Sequence, residues 1–505
     1  MTAAACVAAL LLAACNAGGT ANIPAYGPTS GAPAGETRRD VAIAVGAEPV
    51  NLDFTTTAGA AIPQLLLNNV YETLVKIDQD GQIIPLLAES WTISDDRLTY
   101  DFTLRDGVTF SDGRALTAAD VVASFDRTQT DWINALAAQM SVVASTEAVS
   151  DSEVRVTLSR PSNQWLFTAA TAVGAIFPAD IDFDLKTTAV GTGPFAVTEV
   201  SPGSHITLQG RSDYWGGAPA LDTVTVHYTT DTSAAVNGLR AGDFDMVWNL
   251  VTGDQARALD GQAGIQVIEG TSTGDVLLSF NNTVAPFDDV RVRRAFAYAI
   301  DREAVMESAV AGYGTLVGAM VTPQDPYFED LSGLFAFDPD QARSLLAEAG
   351  ATNLHVTFDV PNLPYATTAA EVIQSQLSQV GVTVTINILE FPAVWLDQVF
   401  QRHDFQMSVI MHSEPRDLLT VMQPGYYLGY NNPAVLEQAA QADAGTYAQW
   451  VDGMKAVVRQ IADDVPGVVL YLAPTLVVAA DGLDGINANA VTESMDLTSL
   501  HWRNQ

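Results

Sequence analysis

The segment 276–303 constrains the fold of this chain more than any other part of the sequence. Its first residues, 276–280, form an almost wholly apolar run of the kind that a strand buried on both faces shows, and turn formers follow. Apolar residues then recur at helical spacing from Val292 onward, and Asp288 or Asp289 stands where an N-cap is needed. The sequence therefore predicts a buried strand that leads into an amphipathic helix, and an ordinary core element explains this segment on its own.

Two β–α–β units are predicted after this segment. Asp338, which precedes a proline, is a typical helix start and Gly350 is a typical helix end, and alternating apolar residues follow at 356–360. A second helix with one apolar face ends at Gly381, and a second alternating run follows at 382–388. Units of this kind predict an α/β fold in which helices cover a sheet.

Strands and turns also dominate the chain before the central segment. Apolar residues alternate over 41–45 and 98–104, as in strands with one buried face. Thr117 and Asp120 form a capping-box pattern at the start of a helix. Close to the C-terminus, the apolar run 467–474 predicts another buried strand, which would return the chain to its first half.

The N-terminus has the features of an exported lipoprotein. The small and apolar residues of 3–14 are about half the number needed to span a bilayer, so a membrane-spanning helix is not predicted. The residues around Cys15 resemble a bacterial lipoprotein cleavage box, which predicts a signal peptide at 1–15 and a lipid on Cys15. No Lys or Arg precedes the apolar run, although secretory signals have a positive first region. The Gly-, Pro- and Ala-rich residues of 16–39 are predicted to be a flexible tether.

Composition and motifs exclude several classes of protein. The two cysteines, Cys6 and Cys15, precede the mature domain, which leaves no disulfide, zinc cluster or thiol nucleophile there. The formal charge of −36 argues against binding to nucleic acid. The chain has no HExxH, GxSxG or Walker sequence, and the Gly-rich turn 191–195 lacks the Lys-Ser/Thr of a phosphate loop. We therefore expect no enzyme activity, no cofactor and no resident metal; a secreted hydrolase is a weak alternative.

Three stretches together resemble a known family. They are the central SFNNTVAPFDDVRVRRAFAYAIDRE, the earlier NNVYETLVKIDQDG and LRDGVTFSDG that follows it. In this order and spacing they resemble the family 5 extracellular solute-binding proteins, which are the peptide, nickel and opine receptors of ABC importers. The resemblance implies a two-lobe periplasmic-binding-protein fold of class II, of the large type with an extra subdomain in the first lobe and a two-strand hinge.

The resemblance also implies where the lobes divide. The first lobe is expected at 40–280, with an inserted subdomain at about 59–187. The second lobe is expected at 281–464, and 465–505 is expected to return to the first lobe.

The resemblance implies that the ligand lies between the lobes, against the polar loop that ends the alternating run 405–411. In peptide receptors of the family an acidic residue after that strand holds the amino terminus of the peptide. Ungapped matching puts this position on Ser413, and the family's Trp is replaced by Ile410. The predicted ligand-binding residues, from this loop and from the facing lobe, are Asn51, Asp53, Tyr71, His412, Ser413, Glu414, Arg416 and Asp417.

The charges of this loop suggest how a ligand is held. Glu414 and Asp417 can face an ammonium group, and the planar fork of Arg416 can hold a carboxylate. We expect one of the two acids to pair with Arg416 and the other to be free for the ligand.

The function predicted from the sequence is that of a lipid-anchored, monomeric receptor on the outer face of the cytoplasmic membrane. It would deliver an oligopeptide, or a peptide-like or opine-like compound, to an ABC permease. The alternative within the family is a nickel or metallophore receptor, in which His412 would contact the metal.

Overall fold

The computed structural model describes residues 38–503 except 58, 133–134 and 251. The predicted signal peptide, Cys15 and nearly all of the predicted tether lie outside the described residues. The strands are β1 (Asp40–Val45), β2 (Val75–Ile77), β3 (Ile83–Pro85), β4 (Ala88–Ile93), β5 (Thr99–Leu104), β6 (Val143–Ser150), β7 (Glu153–Leu158), β8 (Phe195–Ser201), β9 (His205–Gly210), β10 (Thr223–Tyr228), β11 (Met246–Val247), β12 (Ile265–Phe280), β13 (His355–Pro361), β14 (Thr383–Leu389), β15 (Met407–His412), β16 (Gly467–Ala480), β17 (Leu483–Asp484) and β18 (His501–Trp502).

Helices cover these strands. The α-helices are α1 (Ala61–Leu66), α2 (Ala118–Thr130), α3 (Trp165–Thr168), α4 (Thr232–Ala241), α5 (Gly253–Leu259), α6 (Val290–Ala299), α7 (Arg302–Val310), α8 (Pro339–Glu348), α9 (Pro364–Gln379), α10 (Ala393–Trp395), α11 (Leu418–Val421), α12 (Pro433–Ala444) and α13 (Tyr447–Asp464). Two 3-10 helices, Ala135–Met140 and Ala172–Gly174, and one π-helix, Leu396–Gln401, complete the regular structure of the described residues.

One ten-stranded sheet runs through the described chain in the order β14-β13-β15-β12-β16-β11-β1-β10-β9-β8. Its two central strands, β12 and β16, are long, with 16 and 14 residues, and pair antiparallel. Their register shifts between Thr271 and Asp275, where the pairing is interrupted. The strands on either side of this pair belong to different hydrophobic cores, so β12 and β16 connect the two lobes.

Four clusters of buried side chains define the lobes. Two of them lie against β1, β8–β11 and the first half of β12, and they form the core of what we call the first lobe. The other two lie on opposite faces of the half of the sheet that contains β13, β15 and the lobe-crossing strands β12 and β16. They form the core of the second lobe. A separate four-stranded sheet, β4-β5-β7-β6, packs into the first-lobe core. The predicted residue boundaries of the lobes stay a prediction.

The predicted helix starts agree with the structure. Asp289 caps α6, because its Oδ1 accepts a hydrogen bond from the Arg291 N–H at 2.8 Å. Asp338 caps α8, and Thr117 with Asp120 forms a complete capping box on α2. These local signals place the helices on the sheet, as the alternation of β and α segments predicted.

The strands of the hinge are longer than predicted. The sequence indicated a strand at 276–280, whereas β12 begins at Ile265, and the run 467–474 continues to Ala480 in β16. The polar residues of 269–275 interrupt the apolar pattern that identifies a strand in a sequence. They lie where the two strands pass between the lobes, so they have no single buried face. The predicted strand 405–411 is observed at Met407–His412, so His412 is part of the sheet rather than of the loop.

Candidate functional site

The loop that ends β15 lies at the junction of the two lobes. His412, the last residue of β15, is paired with Asp275 of the hinge strand β12. Residues directly opposite each other on antiparallel strands project from the same face of the sheet, with Cβ atoms about 5 Å apart. The hinge therefore contributes a carboxylate to the same place as the predicted binding loop.

A chain of hydrogen bonds orients the imidazole of His412. Its Nε2 lies 3.0 Å from the hydroxyl of Tyr427, which lies 2.7 Å from Oγ of Ser279. Burial lowers the pKa of His412 to about 4, so the ring is neutral at pH 7. The other ring nitrogen, Nδ1, lies 3.7 Å from Oδ2 of Asp417.

Two carboxylates beside this imidazole are buried. Burial, and then repulsion from Glu414, raises the pKa of Asp417 to about 8. Burial raises the pKa of Asp275 as well, with further repulsion from Asp417 and Asp325. Only 4% of Asp275 is exposed, and its Oδ1 has no hydrogen-bond partner among the residues that the structure describes. A buried carboxylate without a partner is costly, so Asp275 is suited to meet a positive group.

A further carboxylate approaches from the first lobe. Glu493 lies in the C-terminal segment, whose neighbours Val491 and Met495 pack into the first-lobe core. Burial raises the pKa of Glu493, and the nearby Glu414 of the second lobe raises it further. Its Oε2 is buried without a hydrogen-bond partner in the described part of the chain. The side chain of Glu414 is exposed.

Arg416 has a different partner from the one expected. Its Nε donates to Oδ1 of Asp325 at 2.7 Å, so the predicted pairing with Glu414 or Asp417 is wrong. The guanidinium also lies 3.6 Å from the ring centroid of Phe167, a residue of the first-lobe core. Asp325 is far from the loop in sequence, and the pattern of charges within the loop could not indicate it.

The first-lobe residues predicted to face the ligand have local partners. Asp53 accepts hydrogen bonds from the hydroxyls of Thr55 and Thr56, and Asn51 bonds to Thr57. These bonds hold the turn after β1. A ligand contact for Asn51 and Asp53 stays a prediction.

Tyr71 and Ser413 also make contacts within the protein. Tyr71 is fully buried and packs against Phe54 and Phe177, and burial raises its pKa. Ser413 is exposed, and its backbone carbonyl accepts a hydrogen bond from Oγ1 of Thr273 at 2.7 Å, which ties the loop to the hinge. Ligand contacts for both residues stay predictions.

A second set of contacts joins the lobes at the C-terminal end of α12. Oδ1 of Asp443 accepts hydrogen bonds from Ser162 Oγ, Asn163 N and Gln164 N at 3.1, 2.9 and 3.0 Å. Its Oδ2 accepts one from Arg160 at 2.9 Å. We call this contact the Asp443 clasp. It brings one carboxylate of the second lobe against four donors of the first.

One cavity lies between the lobes, and another lies within the first lobe. The one between the lobes is about 20 Å³ and is lined by Phe167, Asp325 and Arg416 among others. That volume suits about one water molecule, so a solute can enter only when the lobes move apart. The other, about 290 Å³, lies in the first lobe near the ends of β1 and β11, and no charged side chain of the described residues lines it.

Asp275 and Glu493 were not predicted from the sequence. The position of Asp275 directly before the apolar run 276–280 was a signal, because a carboxylate at the edge of a buried strand is costly unless it has a partner. Glu493 lies in a C-terminal segment without helical or strand periodicity, and only the return of the chain to the first lobe brings it to Glu414.

Comparison with known proteins shows the family of this chain. The family model for bacterial extracellular solute-binding proteins, family 5 middle, matches residues 82–427. The chain belongs to this family. A curated member, the glutathione-binding protein GsiB of Salmonella typhimurium, is 31% identical over 360 residues, which is 70% of each chain. The resemblance in the central signature is thereby confirmed.

Solved structures of family 5 receptors share the fold. CtaP, an ABC transporter substrate-binding protein of Listeria monocytogenes, has a TM-score of 0.83 at 22% identity, over 92% of this chain and 100% of its own. The oligopeptide-binding protein AppA of Bacillus subtilis, solved with a nonapeptide, has a TM-score of 0.73 at 24% identity, over the same shares. The predicted two-lobe α/β fold is confirmed.

Membership of family 5 gives the broad function. The protein is the substrate-binding component of an ABC importer, in a family of extracellular receptors for peptides and other small ligands. Among the described residues, no helix is both long and apolar enough to cross a membrane.

Proposed function

We propose that this receptor captures a small peptide-like solute, an oligopeptide or a peptide-like or opine-like compound, and holds its ammonium group between the lobes. Glu414 of the second lobe and Glu493 of the first are the groups that meet it. The observation that carries this proposal is that the carboxylate of Glu414 lies within 4.8 Å of ligand atoms of His412 and Asp417 at the end of β15, while the first lobe contributes Glu493, whose Oε2 is buried without a hydrogen-bond partner among the described residues. An ammonium bound there is contacted by both lobes and favours the state in which they touch.

The relatives support a peptide-like solute. GsiB is named for glutathione, which is a tripeptide, and AppA was solved with a nonapeptide. The family's acidic position falls on Ser413 here, so the neighbouring Glu414 takes over the contact with the ammonium in this proposal.

The test begins with the solute itself. Native mass spectrometry of protein purified without denaturation identifies the retained compound, and calorimetry then measures its affinity. Glu414→Gln is expected to weaken binding by about 1.5–3 kcal/mol, the size of a hydrogen bond to a charged group. Glu437→Gln, the same change on the exposed face of α12, is the control and is expected to bind as the wild type does. Equal affinity of wild type and Glu414→Gln would contradict the proposal.

The proposed location is the outer face of the cytoplasmic membrane, with Cys15 as the lipid anchor and 16–39 as the tether. A monomer that closes on its solute and docks on the permease is sufficient for this role. The signal-peptide pattern before Cys15 supports the anchor.

A nickel or metallophore receptor is the second candidate function. His412, Glu414 and Asp417 each offer a ligand atom within 4.8 Å of the others, and a neutral imidazole with carboxylates suits a divalent transition metal. Titration with Ni²⁺ alone tests it. Saturable binding that His412→Ala abolishes would favour this candidate over the peptide-like solute.

A further inference from the structure

The first-lobe cavity lies at the ends of three parallel strands. Its wall contains residues that come directly after β1, β10 and β11, among them Gly46, Thr229 and Asn249. β1 pairs parallel with β10 on one side and with β11 on the other. In open α/β sheets, ligands bind in the crevice outside the carboxyl ends of the strands. The cavity therefore occupies a place in the first lobe where a ligand is expected.

These strand ends face the second lobe. β16 starts in the second-lobe core and enters the first-lobe core from Leu476 onward. β11 pairs antiparallel with β16, so β11 runs toward the second lobe and its last residue, Val247, lies on that side. Just beyond it, the N–H of Leu250 donates to the carbonyl of Leu476 at 2.8 Å. A solute between the lobes therefore approaches the first lobe from the side on which this cavity lies.

The C-terminal segment connects the two cavities. Val491 lines the small cavity between the lobes. The N–H of Met495 donates at 2.7 Å to the carbonyl of Gln64, a residue that lines the first-lobe cavity. Glu493 lies between Val491 and Met495 in sequence, and two residues of chain span at most about 7 Å. The wall of the first-lobe cavity is therefore within about one residue length of the position that the proposed function gives to the ammonium.

The lining of the first-lobe cavity has an apolar floor and an uncharged polar rim. Val45, Val247 and Leu250 belong to the floor and are buried in the first-lobe core. The rim carries threonine hydroxyls and the amides of Gln64 and Asn249, and no charged side chain of the described residues lines the cavity. A charged group placed here would lose water without gaining an opposite charge, which is costly. An uncharged group gains from burial against the floor.

The volume of this cavity suits a side chain. It is about 290 Å³, whereas an apolar cavity of about 150 Å³ is enough to hold a benzene ring. An aliphatic or aromatic side chain therefore fits with room for its polar edge to reach the rim.

We infer that the first-lobe cavity receives an uncharged, mainly apolar side chain of the solute, next to the residue that carries the ammonium. This rests on the proposed function for the position of the ammonium, and it names the substrate class more narrowly. The solute is a peptide-like compound with an aliphatic or aromatic side chain in its second residue.

Three matched tripeptides test the inference. Ala-Leu-Ala, Ala-Gly-Ala and Ala-Asp-Ala have the same length and the same terminal charges, and they differ only in the second side chain. Calorimetry is expected to show that Ala-Leu-Ala binds at least about 10-fold more tightly than Ala-Gly-Ala, the lower bound for burying a leucine side chain. Ala-Asp-Ala has a carboxylate on a similarly branched side chain and is expected to bind more weakly than Ala-Gly-Ala.

A variant that fills the cavity shows whether it is responsible. A Cβ added at Gly46 meets no atom within 4 Å, and the backbone there is not left-handed, so Gly46→Phe is accommodated without strain. The added ring occupies the cavity, and the ratio of the affinities for Ala-Leu-Ala and Ala-Gly-Ala is expected to fall below about threefold. Gly333→Phe is the matched control at an exposed glycine of the second lobe with the same open space, and it is expected to keep the full ratio.

A second variant gives the cavity a positive charge. Gln64→Lys places an ammonium on the wall, and it is expected to bind Ala-Asp-Ala at least about 10-fold more tightly than the wild type does. Gln341→Lys, the same change on the exposed first turn of α8, is the control and is expected to bind Ala-Asp-Ala as the wild type does. The unfolding temperature of each variant without added tripeptide shows that it is folded.

Each outcome decides the inference. Equal binding of Ala-Leu-Ala and Ala-Gly-Ala to the wild type overturns it and leaves the proposed function standing, provided that Glu414→Gln weakens both. A leucine preference that Gly46→Phe leaves intact also overturns it, because the side chain then lies elsewhere. The absence of any gain for Ala-Asp-Ala in Gln64→Lys overturns it without reference to Gly46→Phe. Failure of all three tripeptides to bind overturns the peptide-like solute and the inference together.

Discussion

The guanidinium of Arg416 in the second lobe lies 3.6 Å from the ring centroid of Phe167 in the first, while its Nε donates to Asp325. The Arg416 side chain is 4% exposed, and its backbone is in the left-handed region with φ of +56°. A non-glycine residue held in that conformation indicates that the surrounding contacts are favourable enough to offset the strain. Arg416 therefore joins the lobes to each other, and a ligand contact for Arg416 stays a prediction.

Removal of this contact is expected to destabilise the protein before any ligand is added. Arg416→Ala leaves the Asp325 carboxylate buried without its partner, which costs about 3–5 kcal/mol in comparable pairs. Urea unfolding followed by tryptophan fluorescence measures the loss. Arg459→Ala is the control, because Arg459 pairs with Glu329 at the surface, and it is expected to change stability little. A folded Arg416→Ala protein as stable as the wild type would show that Asp325 has found water or another partner.

The Asp443 clasp makes a separate prediction about the contact between the lobes. Asp443→Ala removes the carboxylate that accepts from Ser162, Asn163, Gln164 and Arg160, and it leaves the hydrogen bonds of Asn163 to the backbone carbonyls of residues 443 and 445 in place. We expect a larger radius of gyration in small-angle scattering and faster solute dissociation, by roughly 10-fold for about 1.4 kcal/mol. Both lobes should keep their secondary structure.

Glu437→Ala on the same helix is the control for the clasp. Glu437 is exposed, and among the described residues its side chain bonds only to Gln441 of α12, so its loss should leave both the scattering and the dissociation rate unchanged. If the Asp443 clasp contributes nothing, Asp443→Ala and Glu437→Ala would give the same scattering curves and the same dissociation rates.

The elements of the fold were predictable because their signals are local. The cap at Asp289, the box at Thr117 and the alternation in β5 and β13 each lie within a few residues of the element that they start. The ends of β12 and β16 were not predictable, since their pairing between the lobes is set by a partner about 200 residues away.

Only the part of the site that comes from one continuous stretch of the sequence was predictable. His412 ends β15 and Glu414 and Asp417 follow within five residues, and the structure brings their ligand atoms within 4.8 Å of one another. Asp275 joins them through strand pairing, Glu493 through the return of the chain, and Asp325 through its bond to Arg416. These three contacts depend on tertiary structure, and the spacing of residues in the sequence does not indicate them.

The lipid anchor is tested outside the folded domain. Cys15→Ser removes the thiol that would carry the lipid, so we expect the protein to leave the membrane fraction and to keep its leader uncut. Fractionation and intact-mass measurement check both. Cys6→Ser, in the predicted signal peptide, is the matched control and should be processed and anchored as the wild type is. A Cys15→Ser protein that is still cleaved and bound to the membrane would rule out this anchor.

The last prediction concerns the pH dependence of stability, which Asp417 should influence in a defined direction. Burial and Glu414 raise its pKa to about 8 from an ordinary value of 3.8. Between these two values the folded protein binds a proton that the unfolded chain has released, so stability is highest at low pH and is lost as the pH rises toward 8. The wild type should therefore lose about 1–2 kcal/mol more than Asp417→Asn between pH 6.5 and 8, since one pH unit corresponds to at most about 1.4 kcal/mol per group. His412, whose pKa is lowered to about 4 from 6.5, makes the opposite contribution, which is mostly complete at pH 6.5 and is common to both proteins, so it cancels in this comparison. Urea unfolding at the two pH values gives the difference, and Asp254→Asn should retain the wild-type slope. If Asp417→Asn loses as much stability as the wild type over this interval, the Asp417 carboxyl is already ionised at pH 6.5, and it holds its charge before any solute arrives.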